Sequence, residues 1–191
     1  MRLVRLGIAC CNSTVGAFES NVQRLVAAAH KLAEDNVQLG AFPEMVIGGY
    51  PPEDLILWPG FVSAQARALC EFADKTQKLA TAFVLGVLLH SDDQVYNCAA
   101  FVHRGRILGI VPKEKLPLYN VFYETRTLSW GFPGLSRRID FDELSDKRGS
   151  AHGAAPFGDL LFDCDFGKVA LEVCEDMWSP DGPMRRRCYE G

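Results

Sequence analysis

The sequence predicts an α/β fold in which a mixed β-sheet carries its helices on one face. Three observations carry that expectation. Strand-like and helix-like segments alternate through the first 79 residues, as parallel strands joined by helical crossovers do. Three strand-like runs then follow one another with only turn residues between them, which is the pattern of hairpins. A final pair of apolar runs folds about Gly167 and ends on Cys174.

Leu3 to Cys10 reads as the first strand, and Gly16 closes the loop after it. A helix follows from about Phe18 to Asn36, with Phe18, Val22, Leu25, Val26, Ala29, Leu32 and Ala33 recurring at the spacing of one apolar helix face. Leu39 to Phe42 is a short strand ending at Pro43-Glu44. The stretch Met45 to Asp54 is built from turn residues. A second helix, from about Phe61 to Leu79, turns Phe61, Ala64, Ala68, Leu69 and Phe72 inward. The strands Ala82–Leu89, Val95–His103 and Arg106–Val111 come next, with Gly105 in the tight turn between the last two. From Glu114 to Phe157 little is periodic, which within a compact domain marks a functional loop, a partner surface or an insertion. Asp159 to Phe166 is a strand, the run ending at Cys174 pairs with it, and a last helix starts near Gly182. No internal repeat or linker divides the chain.

Composition narrows the function classes. The 191 residues are 48% hydrophobic and 23% charged, enough for one domain with a core and too apolar for disorder. The net charge of −4 comes without a basic block, so nucleic acid is not an expected partner, and Arg185-Arg-Arg187 reads as a solvated helix face. No apolar run has the ~18–20 residues of a membrane span, and the charged start Met1-Arg-Leu-Val-Arg lacks a signal-peptide core. A cytoplasmic protein without membrane contact is expected. The 7 cysteines are irregularly spaced and include no Cys-x-x-Cys, so neither a metal site nor a disulfide framework is expected.

Three strand ends carry reactive groups: Glu44 after Phe42-Pro43, Lys113 after Val111-Pro112, and Cys174 after Leu171-Glu-Val. If the ends share one side of one sheet, a carboxylate, an ammonium and a thiol converge. The carboxylate can take the thiol proton and later return it to a leaving amine. The ammonium, with the backbone N–H after the cysteine, can stabilise the oxyanion of an attacked carbonyl. Each group also has a plainer reading: Cys174 as a small buried hydrophobe, Glu44 as a solvated loop carboxylate, and Lys113 in competition with Lys115.

These residues in their local words resemble the Glu–Lys–Cys triad of the nitrilase (carbon–nitrogen hydrolase) superfamily. Gly48-Gly-Tyr-Pro-Pro-Glu-Asp-Leu55, Pro112 to Glu124, Pro156-Phe-Gly-Asp159 and Cys174-Glu-Asp-Met-Trp-Ser-Pro180 resemble the glutaminase domain of glutamine-dependent NAD+ synthetases, in order along nearly the whole chain. The resemblance implies a nitrilase-like α-β-β-α sandwich, usually paired, hence a homo-oligomer. It implies hydrolysis of the glutamine amide through a thioester on Cys174, with Glu44 as general base and Lys113 stabilising the transition state. Glu124 maps to a second glutamate that holds the lysine and substrate. Tyr119, Glu175 and Trp178 map around the bound glutamine, although Tyr119 with Phe122 and Tyr123 also reads as loop packing, and Trp178 as a core residue. No cofactor is implied for this step. ATP and Mg2+ belong to a synthetase domain that amidates nicotinic acid adenine dinucleotide, and no Ser-Gly-Gly pyrophosphatase loop occurs in this sequence. Only 17 residues follow Cys174, so residues 1–191 are expected to be an incomplete glutaminase domain with an exposed sheet edge and the synthetase domain absent. The alternatives are a free-standing amidase or nitrilase acting on another small amide, and a non-catalytic fragment that binds full-length subunits.

Overall fold

The computed structural model describes residues 3–145 and 152–190, built around a seven-stranded mixed sheet. β1 (Leu6–Ile8) and β2 (Leu39–Ala41) are joined by α1 (Phe18–Glu34), and α2 (Pro59–Thr76) leads to β3 (Ala82–Ser91). These three strands are parallel, because each connection is a helical crossover. β4 (Gln94–His103) and β5 (Arg106–Pro112) continue antiparallel. The β4–β5 turn takes φ of 48° at Arg104 and 76° at Gly105, the left-handed pair of a two-residue hairpin.

α1 buries Val22, Leu25 and Ala29 completely. Burying a side chain of valine or leucine size contributes roughly 1.5–3 kcal/mol. Together with Phe72 of α2, that face packs on Phe83, Leu85, Val87, Cys98 and Ala100 of the sheet. The alternate residues of the same strands point the other way. Ala82, Ala99, Phe101 and Val111 meet Phe162, Leu171 and Val173 there.

That second face is covered by a separate two-stranded sheet, β8 (Leu161–Cys164) and β9 (Gly167–Ala170), with Phe162 stacked on Phe101 at 4.5 Å between ring centroids. The mixed sheet with helices on one face is therefore as expected. The hairpin about Gly167 is not part of that sheet: it stacks on it, giving helix, sheet and sheet in layers. β9 stops at Ala170, and Leu171 to Val173 reach Cys174 as unpaired chain.

Other departures have local causes. β1 is three residues long rather than eight, because β2, its partner, offers only three residues to pair. The segment expected to be irregular contains β6 (Ser136–Asp140), the short helix α3 (Phe141–Leu144) and β7 (Ala154–Gly158). β7 lies between β5 and β6, but it carries Pro156, which argues against an inner strand in any sequence reading. Residues 146–151 of that stretch lie outside the described residues. The strand expected from Asp159 begins only at Leu161, since the Asp159 carboxylate turns away to bind Gly134 N–H and two arginines. The chain continues through α4 (Glu175–Trp178) and α5 (Pro183–Tyr189). Leu6 and Ile8 stand 67% and 80% exposed on β1, an edge strand of the sheet. Among the described residues no helix is long and apolar enough to cross a membrane.

Candidate active site

Glu44 leaves the end of β2 on a main chain pressed against β3. Gly86 makes this approach possible: a Cβ there would lie 2.2 Å from Met45 N and 2.6 Å from Glu44 Cα. Met45 itself takes φ of 48°, turning the chain sharply after the carboxylate. Lys113 leaves β5 next to β4, with its N–H donated to Asn97 O at 2.8 Å and its carbonyl accepting from Gly131 N at 2.7 Å. β2 and β5 are not neighbours, but β3 and β4 between them bring the two side chains together.

The Lys113 side chain is wholly buried and lies between two carboxylates. Its Nζ is 2.8 Å from Glu44 Oε1 and 2.8 Å from Glu124 Oε2. Glu124 comes from a 3-10 turn (Glu124–Arg126) and is buried as well. Burial pushes the ammonium down, and the two carboxylates reverse this, so Lys113 holds its proton more tightly than an ordinary lysine. Burial pushes the Glu124 carboxyl up, Lys113 pulls it down, and Glu44 and Asp176 add to the rise. Glu44 Oε1 also accepts from Asn97 Nδ2 at 2.6 Å.

Cys174 arrives from the second layer. Its thiol lies within electrostatic reach of Glu44, Lys113 and Glu124. Burial and the Glu44 charge push the thiol up to about 11, against which Lys113 acts only in part. Its backbone takes φ of 49° and ψ of −99°, a strained conformation for a residue with a side chain, of the kind that collects at functional sites. At neutral pH the thiol is therefore protonated.

Glu44, Lys113, Cys174 and Glu124 thus form one cluster, although Cys174 reaches it from the hairpin layer rather than from the same sheet. Lys115, the competitor of Lys113, points outward to Asp181 at 2.6 Å. Tyr119 donates its hydroxyl to Glu175 at 2.7 Å, and its ring packs edge-on against Phe122, so its reading as loop packing is met. Trp178 is 68% exposed at the end of α4, which excludes a core role. Two residues near the cluster were not singled out from sequence. Asn97 binds Glu44 from mid-strand, where no local pattern marks it. Tyr50 lies on a cleft that it shares with Glu124, Tyr123 and Arg126. Burial and the charges of Glu124 and Glu44 push the Tyr50 phenol up to about 12. The available signal for Tyr50 was its place in the Pro-Pro loop six residues after Glu44. Among the described residues no group of three His, Cys, Asp or Glu side chains could hold a metal ion.

A family profile described as carbon-nitrogen hydrolase matches residues 5–186. A glutamine-dependent NAD(+) synthetase of Thermotoga maritima is 33% identical over 183 residues, which is 96% of this chain and 27% of that protein. The crystal structure of a glutamine-dependent NAD(+) synthetase from Cytophaga hutchinsonii superposes with a TM-score of 0.80 at 26% identity, over 90% of this chain and 28% of that one. An amidase from Nesterenkonia sp. shares the fold, with a TM-score of 0.56 at 20% identity over 72% of this chain and 51% of its own. The chain spans less than a third of the length of the two synthetases. Its mixed sheet, its layered hairpin and the matched span from end to end agree: this chain belongs to the carbon-nitrogen hydrolase family.

Proposed function

We propose that the chain carries the amide-hydrolysing site of a glutamine-dependent enzyme, with Glu44, Lys113 and Cys174 as its catalytic groups. The observation that carries this reading is the Cys174 thiol brought within electrostatic reach of a carboxylate that is itself ion-paired to a buried lysine. A thiol held near 11 is no resting thiolate, so its proton must leave as the sulfur attacks. Glu44 Oε1 already accepts from Lys113 and Asn97, which leaves Oε2 to receive that proton.

Cys174 Sγ bonds to the amide carbon of glutamine while its proton passes to Glu44. The carbonyl oxygen becomes an oxyanion, stabilised by the Lys113 ammonium and the backbone N–H of Glu175. Collapse breaks the C–N bond, and Glu44 returns the proton to the leaving nitrogen, so ammonia departs and a thioester remains. Water then attacks the thioester carbon and loses a proton to Glu44; the C–S bond breaks, Glu44 returns that proton to the sulfur, and glutamate leaves with the free thiol restored. Glu124 keeps the Lys113 ammonium charged and in place, while Tyr119, Glu175 and Trp178 border the substrate. In the longer enzyme the ammonia would amidate nicotinic acid adenine dinucleotide to NAD+ in a synthetase domain that uses ATP and Mg2+. No residue of this chain is assigned to that step, and the partners of this chain would be that domain or full-length subunits.

Release of glutamate and ammonia from glutamine, compared with release from a panel of small amides and nitriles, tests the reading. Cys174→Ala should lower glutamine hydrolysis by roughly 10³-fold or more, whereas Cys10→Ala and Cys70→Ala should leave it unchanged. Turnover of nitriles without glutamine hydrolysis would favour the free-standing amidase or nitrilase. A folded chain that neither hydrolyses glutamine nor is acylated by a glutamine-analogue electrophile would favour the non-catalytic fragment.

A further inference from the structure

Two residues after Cys174 stands a carboxylate with no part in the chemistry above. Asp176 is 2% exposed, and both of its oxygens are engaged by main-chain N–H groups. Oδ1 accepts from Glu114 N at 3.0 Å and from Lys115 N at 2.8 Å, and Oδ2 accepts from Val173 N at 3.0 Å. Glu114 and Lys115 directly follow Lys113, and Val173 directly precedes Cys174. One buried side chain therefore joins the main chain beside the lysine to the main chain beside the thiol, although the two segments belong to different layers. Three donors converge on two oxygens, a demand that an ionised carboxylate meets and an amide does not, because its NH2 would face an N–H. Cys174, held at φ of 49°, needs surroundings that impose its conformation.

We propose that Asp176 is a positioning residue, whose carboxylate sets the placement of Cys174 relative to Lys113 and holds the thiol against Glu44. The proposal rests on the amidase reading of the cluster. Asp176 touches neither substrate nor reacting atoms, and it acts through the two backbones it joins. Burial pushes its carboxyl up, the three N–H groups pull it down, and Glu114 beside it pushes it up again. Glu124 and Glu172 are the other carboxylates that feel its charge.

The test reads the surroundings of the thiol directly. The pH profile of Cys174 alkylation by iodoacetamide is followed by mass spectrometry of its peptide, in the wild type, Glu44→Gln, Asp176→Asn and the double variant. The groups facing the thiol are Glu44 after β2, Lys113 after β5, Glu124 from its 3-10 turn, and the Tyr50 and Tyr119 phenols. Glu44→Gln should lower the alkylation midpoint by about one pH unit or more in the wild type, since it removes a nearby negative charge that disfavours the thiolate. In the Asp176→Asn background the same change should move it by less than about 0.3 unit, because the thiol no longer faces residue 44. Glutamine hydrolysis by Asp176→Asn should fall roughly 10²-fold in kcat with KM little altered. An equal shift in both backgrounds overturns the proposal and leaves the amidase reading standing. A wild-type midpoint indifferent to Glu44→Gln sinks that reading and the proposal with it. Near-UV circular dichroism monitors the fold. Asp176→Ser, which keeps one acceptor, replaces Asp176→Asn if the latter unfolds, and loss of the fold in both overturns the proposal, since Asp176 would then hold the domain rather than the site.

Discussion

Glu44 is placed by three neighbours. Asn97 donates to Oε1, Lys113 donates to the same oxygen, and Gly86 leaves room for the backbone that carries the carboxylate. Of these three, only Gly86 acts through space alone, which makes it the cleanest probe. A methyl group at position 86 would lie 2.2 Å from Met45 N and 2.6 Å from Glu44 C and Cα, and backbone cannot yield there as a flexible side chain could. Gly86→Ala should therefore move the carboxylate away from Cys174. The expected cost is about 1–3 kcal/mol of stability by overpacking and roughly 10²-fold in glutamine hydrolysis by misplacement of the base. Urea unfolding and steady-state kinetics check the two effects separately. A variant with wild-type kcat would mean that Glu44 can be held as well from elsewhere.

At the scale of elements, α5 is fastened to the body of the domain by charge. Arg187 is buried, donating to Asp159 Oδ1 at 3.0 Å, to Glu114 Oε1 at 3.2 Å and to Leu171 O. Arg186 meets the same two carboxylates, at 2.7 Å and 2.9 Å. Glu114 follows Lys113 and Leu171 precedes the Cys174 segment, so this clasp grips both chains that Asp176 joins. Removing one member of a buried network leaves its partners undercompensated, so Arg187→Met should cost about 3–5 kcal/mol. The exposed pair Lys115–Asp181 has no such burial, and Lys115→Ala should change the urea midpoint by under about 1 kcal/mol equivalent. Equal losses in the two variants would refute the distinction. The sequence did not reveal this clasp, because Arg185-Arg-Arg187 reads as a solvated face and nothing local distinguishes Arg187 from Arg185. The helices and the long strands were legible because their apolar residues keep a period over many residues. β6 and β7 were not, because five residues are too few to show a period, and β7 also carries Pro156. The cluster of Glu44, Lys113 and Cys174 was legible because each member follows a strand-like run, Pro43 or Pro112 marking two of those ends, whereas Asn97 and Asp176 work by contacts that only the folded chain creates.

For the molecule as a whole, the site depends on two layers staying in register. Glu44 and Lys113 belong to the large sheet, Cys174 follows the hairpin stacked on it, and polar ties hold the layers together beyond the apolar contacts of Phe101, Phe162 and Val173. Asp159 lies at the junction, between the end of β7 and the start of β8, and it receives Arg186, Arg187 and the Gly134 N–H. Its burial pushes the carboxyl up, but those donors prevail and hold it down to about 2, below an ordinary value of 3.8. A carboxyl depressed in the folded state stabilises the fold fully above its unfolded pKa, and that contribution disappears as pH falls through the folded one. The window for this group is therefore pH 4 down to about 2. Asp159→Asn should unfold at lower urea than the wild type at pH 7, and the gap should stay constant down to about pH 5. From about pH 4 downward the gap should narrow, because the wild type loses by protonation what the variant already lacks. Urea midpoints measured at half-unit steps from pH 7 to pH 3 decide it: a gap that stays constant to pH 3, or one that widens, would show that the junction is not held by the ionised Asp159.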